Sequence, residues 1–242
     1  MKHTVLFCRQ TLALLAALLP LSAARAAFIT ELTRTFNLTP PSGDLADLQN
    51  PAQTFTQNIT DSAIQSLSRV TVGLHLAGNP TGSGFAGDMV VYLNKDFGAN
   101  SAFLLNRPGV DGSHPFGYSF DGWDVTFDDA APNGDAHLGS VVSGLLTGTW
   151  QPDGRILPTD TLRPGLLSVL NGTPGNGTYV LAIGDLGLGS QMRLQSWSLT
   201  LAGETAAVPE TGTWAMGVFM LMGVGGFELA RRRQAAGAKP TV

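Results

Sequence analysis

Arg69-Val70-Thr71-Val72-Gly73-Leu74-His75-Leu76 decides the fold. Val70, Val72, Leu74 and Leu76 fall on one side of an extended chain, with Thr71, Gly73 and His75 on the other. A period of two predicts a strand with one buried face. The same alternation sets Trp123, Val125 and Phe127 against Asp124, Thr126 and Asp128, and Trp197, Leu199 and Leu201 against Ser198 and Thr200. Residues 89–93 and 179–183 are unbroken apolar runs of strand length, as expected in the middle of a sandwich. Between these runs lie Gly78-Asn79-Pro80, Asn106-Arg107-Pro108-Gly109, Pro132-Asn133-Gly134-Asp135, Gln151-Pro152-Asp153-Gly154 and the Asn-Gly-rich stretch 171–177. All of these are turn chemistry. Residues 61–67 are expected to add one short helical turn at most. The reading is an all-β, jelly-roll-like antiparallel β-sandwich.

Composition narrows the function. Residues 27–203 carry 7 Lys and Arg against 15 Asp and Glu, a net charge of −8. That surface repels nucleic acid and suits divalent cations. Cys8 is the only cysteine and lies ahead of this region, which therefore has no thiol chemistry and no disulfide. Its histidines are His75, His114 and His137, and it contains neither Gly-x-Ser-x-Gly nor His-Glu-x-x-His. No catalytic residue is assigned, and a non-catalytic protein is expected.

Asp121, Asp124, Asp128, Asp129 and Asp135 crowd one segment around Asn133-Gly134. Hard oxygen donors on turns suit calcium, although the spacing is not that of an EF-hand. Phe116, Tyr118 and Trp123 form the one obvious aromatic cluster for stacking a sugar.

Further motifs run in a fixed order from Thr54 to Gly203. They are Ile59-Thr60-Asp61, Val70 to His75, Gly87-Asp88-Met89, Phe127-Asp128-Asp129, Gly148-Thr149-Trp150-Gln151-Pro152, Asn176-Gly177-Thr178-Tyr179, Asp185 and Leu194-Gln195-Ser196-Trp197-Ser198-Leu199. Together they resemble the P domain (Homo B domain) that follows the catalytic unit of subtilisin-like proteases. The resemblance implies a sandwich, points to Asp88, Asp128, Asp129 and Asp185 as calcium candidates, and suggests docking to a separate protease. The chain departs from that pattern by an insertion at 78–86 and an expanded loop at 108–121.

The two ends read as addresses. Lys2 and Arg9 precede an apolar segment, Pro20 and Ala24-Arg25-Ala26, which predicts a signal peptide over 1–26 cleaved before Ala27 by signal peptidase. Residues 27–53 then form an N-terminal extension packing on the sandwich at 54–203. Residues 204–212 form a linker with a sorting motif, 213–230 an apolar span and 231–242 a basic cytoplasmic tail.

Within that tail, Val208-Pro209-Glu210-Thr211-Gly212, the following Trp214-Ala215 and the stop-transfer cluster Arg231-Arg232-Arg233 resemble a PEP-CTERM signal. Such signals are processed by an exosortase after transient inner-membrane insertion. Thr211 stands where that family has a second proline, and Val-Pro-Glu-Thr-Gly also resembles a sortase substrate. The expected location is the cell surface or extracellular matrix. The expected role is a structural or adhesive component, with polysaccharide as a candidate partner. The alternatives are a ligand-binding module, assisted by calcium, or a P domain that docks a secreted protease.

Overall fold

The computed structural model describes residues 29–47, 52–78, 84–139, 144–188 and 191–206. The signal peptide, most of the sorting linker, the apolar span and the arginine cluster lie outside these residues. Residues 28–206 form one compact unit.

Among the described residues, eleven strands build it. They are β1 Ile29–Asn37, β2 Gln53–Ile59, β3 Ile64–Gly78, β4 Gly84–Phe85, β5 Met89–Lys95, β6 Ser101–Asn106, β7 Ser119–Phe120, β8 Gly122–Phe127, β9 Leu145–Trp150, β10 Gly177–Asp185 and β11 Met192–Thr205. A five-stranded sheet has the order β1-β11-β3-β8-β9 and a four-stranded sheet the order β2-β10-β5-β6. The residues of both sheets share one core, in which Val72, Leu76, Leu93, Trp123, Phe127, Tyr179, Leu181 and Trp197 are almost fully buried. The all-β sandwich is therefore as the alternation predicts. One pair departs from the antiparallel rule: β8 and β9 run parallel. Among its described residues the crossover between them carries a helical turn, α1, Ala136–Gly139.

The period-two strands sit where their patterns place them. Leu74 pairs with Trp197 on one side and Val125 on the other, at the centre of the larger sheet. Along β11, Met192 and Leu194 face inward, and so do Trp197, Leu199 and Leu201. That change of parity requires an extra residue, and the β3–β11 register shifts between Leu194 and Ser196. Residues 61–67 correct the expectation of a helical turn: β3 begins at Ile64. Ile64, Leu67 and Val70 are all buried at three-residue intervals because β3 skips Gln65 and Ser68 in its pairing with β11. Two bulges in a strand thus imitate a helical period.

The N-terminal extension supplies β1, which pairs along its whole length with β11 and lays Phe36 against Trp197, ring centroids 4.6 Å apart. The insertion at 78–86 and the expanded loop at 108–121 meet each other. Gly84 pairs with Phe120 and Phe85 with Ser119, forming a two-stranded ribbon β4–β7 at one end of the sandwich.

Candidate functional site

The acidic residues singled out from the sequence do not gather into one site. Asp121 and Asp124 are exposed. Asp128 is buried at 6% exposure and pairs with Arg69, while its other oxygen accepts from the Ala130 N–H at 3.1 Å. Burial alone would raise its pKa, but Arg69 and that N–H outweigh it and hold the carboxyl below its ordinary value. Asp129 accepts from the backbone N–H of Leu167 at 2.9 Å and Ser168 at 2.7 Å, fixing the turn Leu167–Leu170. Both carboxylates are committed to the fold, so Asp128 and Asp129 are poorly placed for calcium. Among the described residues no three acidic or histidine side chains converge into a ready-made metal cage.

Asp135 belongs to a different cluster, which spacing alone did not reveal. Asp153 is fully buried and binds His137 Nδ1 at 2.7 Å, the Arg155 guanidinium at 2.9 Å and the Asn106 N–H at 3.1 Å. Asp135 takes the same Arg155 guanidinium at 2.7 Å, and Arg163 stands 3.7 Å away. Arg163 also donates to the carbonyls of Asp153 and Pro152 and to the Gln151 side chain at 3.0 Å. Burial works against the Arg155 charge, yet its two carboxylates raise its pKa above the ordinary arginine value. Every charge here has a partner, and the cluster ties the loop after β9 to β6 and α1.

The other two calcium candidates, Asp88 and Asp185, do meet. Asp88 ends the turn before β5, and Asp185 is the last residue of β10, paired with Met89. The Leu186 N–H donates to the Asp88 carbonyl at 2.8 Å. The Asp88 carboxylate lies against Gly187, where a Cβ would collide with it. Asp185 is 3% exposed; its Oδ1 accepts from the Gly187 N–H at 3.3 Å, and its Oδ2 has no hydrogen-bond partner. Burial first, and then the charges of Asp47 and Asp88, push Asp185 up to about 6 against the pull of the Gly187 N–H. Burial also raises Asp88, with Arg107 opposing. Asp47, contributed from beyond β1, has no signal in the sequence that ties it to this corner.

Catalytic geometry is thin. Ser196, His75 and Asp124 are register neighbours across β11, β3 and β8 and line an open groove of about 320 Å³ on the outer sheet face. Among the described residues no hydrogen bond joins Ser196 to His75 or His75 to Asp124, so these three lack the nucleophile–base contact of a triad.

The aromatic cluster is also rearranged. Trp123 is fully buried against Phe120, and Tyr118 is covered by His114, stacked at 4.3 Å. Phe116 remains 60% exposed and is joined by Phe85 at 46%, their rings 6.3 Å apart and tilted by 54°.

No family model matches the chain, and no curated protein matches it. Among solved structures, the serine protease of Aeromonas sobria, alone and in complex with the chaperone ORF2, aligns over 81% of this chain with 18% identity and a TM-score of 0.43. The chain spans 30% of that protein's length.

Proposed function

We propose that this chain is a non-catalytic docking module of the P-domain type, with a secreted subtilisin-like serine protease as its partner. The observation that carries this reading is the end of the sandwich bearing Phe85 and Phe116. The two segments that depart from the P-domain pattern are paired as the β4–β7 ribbon, and they hold these two phenyl rings out to solvent. Arg107 braces the support by donating to the carbonyls of Gly87 and Pro115. Aromatic anchors on a preorganised support are the usual centre of a protein–protein contact.

A protein fits this surface better than a sugar. With Trp123 inside and Tyr118 covered, the exposed rings are tilted against each other and offer no flat stacking face. The P-domain motifs supply the protease as the specific partner. A structural or adhesive role at the cell surface is the second reading, favoured by the Val208 to Gly212 motif and the arginines that follow. In both readings the signal peptide and the tail route the protein outward, through signal peptidase and an exosortase or sortase.

The test is binding of the full-length protein to the catalytic unit of a subtilisin-like protease secreted by its own host, followed by interferometry. The expected result is a saturable complex that Phe85→Ser with Phe116→Ser weakens at least tenfold while the melting temperature stays unchanged. No complex, together with retention of the protein in extracellular polysaccharide, would leave the adhesive reading standing. Intact-mass analysis of the same surface material is expected to show a start at Ala27 and loss of the peptide containing Trp214 and Arg231.

A further inference from the structure

We propose that the loop 154–165 is a second docking element, with Ile156 and Leu157 entering an apolar cleft on the same protease partner that meets Phe85 and Phe116. This inference rests on the docking reading above. The loop leaves the sandwich at β6, an edge strand of the smaller sheet, through a closed neck. The Gly154 N–H donates to the Phe103 carbonyl at 2.8 Å, the Phe103 N–H to the Gly165 carbonyl at 2.8 Å, and the Gly165 N–H to the Gly154 carbonyl at 2.9 Å. A compact excursion with joined ends is an Ω-loop. On it Ile156, Leu157 and Leu162 stand 56%, 60% and 76% exposed. Single exposed aliphatic side chains are ordinary, but three on one short loop form a patch.

The loop is tied down along its length, so these side chains are held in solvent and not merely passing through it. Asn106 Nδ2 donates to the carbonyls of Arg155 at 3.1 Å and Ile156 at 2.8 Å. Arg155 Nε donates to the Asp160 carbonyl at 2.9 Å, and the Leu157 N–H to the Asp160 carboxylate at 2.8 Å. Arg163 Nε fastens the returning chain to the Asp153 carbonyl at 2.8 Å. Apolar anchors on a preorganised support suit a protein contact. The patch is continuous with the Phe116 support, because Asn106 and Arg107 are consecutive. Asn106 braces this loop, and Arg107 braces the carbonyls of Gly87 and Pro115. Arg107 adopts φ 50°, strained for a residue with a Cβ, at the point where the two supports part. One partner surface can therefore cover both. The loop that carries Phe116 exposes Asp111 and Asp121, while the Arg107 and Arg155 guanidinium groups are engaged with carbonyls and carboxylates of the same chain. The matching cleft is accordingly apolar with a basic rim.

The experiment is interferometry with the full-length protein in mild detergent and the catalytic unit of the subtilisin-like protease secreted by its host. Ile156→Ser with Leu157→Ser is expected to weaken the complex by about tenfold or more, mainly through faster dissociation. The melting temperature is expected to stay unchanged, since both side chains lie in solvent. Combined with Phe85→Ser and Phe116→Ser, the losses are expected to multiply to about a hundredfold, as separate sites on one interface do. Phe97→Ser, beyond the opposite end of β5 and 76% exposed, is expected to bind as the parent does. Added salt is expected to slow association. If Phe85→Ser with Phe116→Ser weakened the complex while the Ile156–Leu157 variant bound like the parent, the second element would fall and the docking reading would stand. No complex at all would overturn both. Loss of binding only together with a lower melting temperature would make the loop part of the fold and overturn its docking role. Self-association of the full-length protein, abolished by the Ile156–Leu157 variant in sedimentation, would assign the patch to a second copy and overturn it as well. An association rate indifferent to salt would overturn the basic rim.

Discussion

The loop around Asp153 and the corner around Asp185 both bury carboxylates, and they handle the charge in opposite ways. Asp153 and Asp135 meet Arg155, Arg163 and His137, and each oxygen accepts from a nearby donor. Asp185 meets Asp47 and Asp88, and one of its oxygens accepts from nothing. A buried carboxylate with built-in cations is a fastener, since its partners come from the same chain and fold with it. A buried carboxylate without them either carries a proton or waits for an ion from outside. The difference separates a region that only holds the structure from one that can respond to its surroundings.

The largest effect belongs to the fastener. Asp153→Ala removes one of the two carboxylates on the buried Arg155 guanidinium, leaving it to Asp135, and strips His137 and the Asn106 N–H of their acceptor. Breaking a buried pair from one side costs about 3–5 kcal/mol, much of the ~5–15 kcal/mol that holds a domain together. Urea titration measures it. A loss under about 1 kcal/mol would mean that water replaces the carboxylate and that the loop is not fastened there.

The corner predicts the opposite sign. Because the folded-state pKa of Asp185 lies above its unfolded value, the favourable contribution is complete below the unfolded pKa near 4. It is lost as pH rises through about 6. In chelator, the protein is therefore expected to lose stability on the order of 2 kcal/mol between about pH 4 and pH 7 from this group. Asp185→Asn, which has no charge to develop, is expected to flatten that slope and to be more stable than the parent at pH 8. A variant that is less stable at pH 8 in chelator would make Asp185 a fastener like Asp153 and erase the contrast.

How much of this was legible in the sequence depends on the range of the signal. β3, β8 and β11 announce themselves because Val72, Leu74, Trp123, Val125, Trp197 and Leu199 alternate over a few residues. β1 carries a weaker stripe: Leu32 and Phe36 share a face with Arg34 between them, so its place at the sheet edge is decided by pairing with β11. β4 and β7, at two residues each, are too short to show a period. Asp88 and Asp185 could be named through motif order, yet nothing near Asp47 points to them, because tertiary folding alone brings the three together. Asp128, Asp129 and Asp135 misled for the complementary reason. Crowding along the chain counted their charges, whereas the fold hands each one to a partner, Arg69, two backbone N–H groups and Arg155 respectively.

The smallest effect tests that last point at the Arg69–Asp128 pair. Arg69 is more than half exposed, so water screens the attraction, and an exposed ion pair contributes about 0–1 kcal/mol. The sign is fixed by the depressed pKa of Asp128: the contribution is present above the unfolded value near 4 and disappears as pH falls through the folded one. A double-mutant cycle with Arg69→Ala and Asp128→Ala is expected to give a coupling below about 1 kcal/mol at pH 7 that shrinks as the pH is lowered. Asp128→Ala combined with Asp129→Ala is expected to lower the melting temperature, because both carboxylates serve the fold. If that pair of substitutions left the melting temperature unchanged, the two carboxylates would be solvated turn residues and not fasteners.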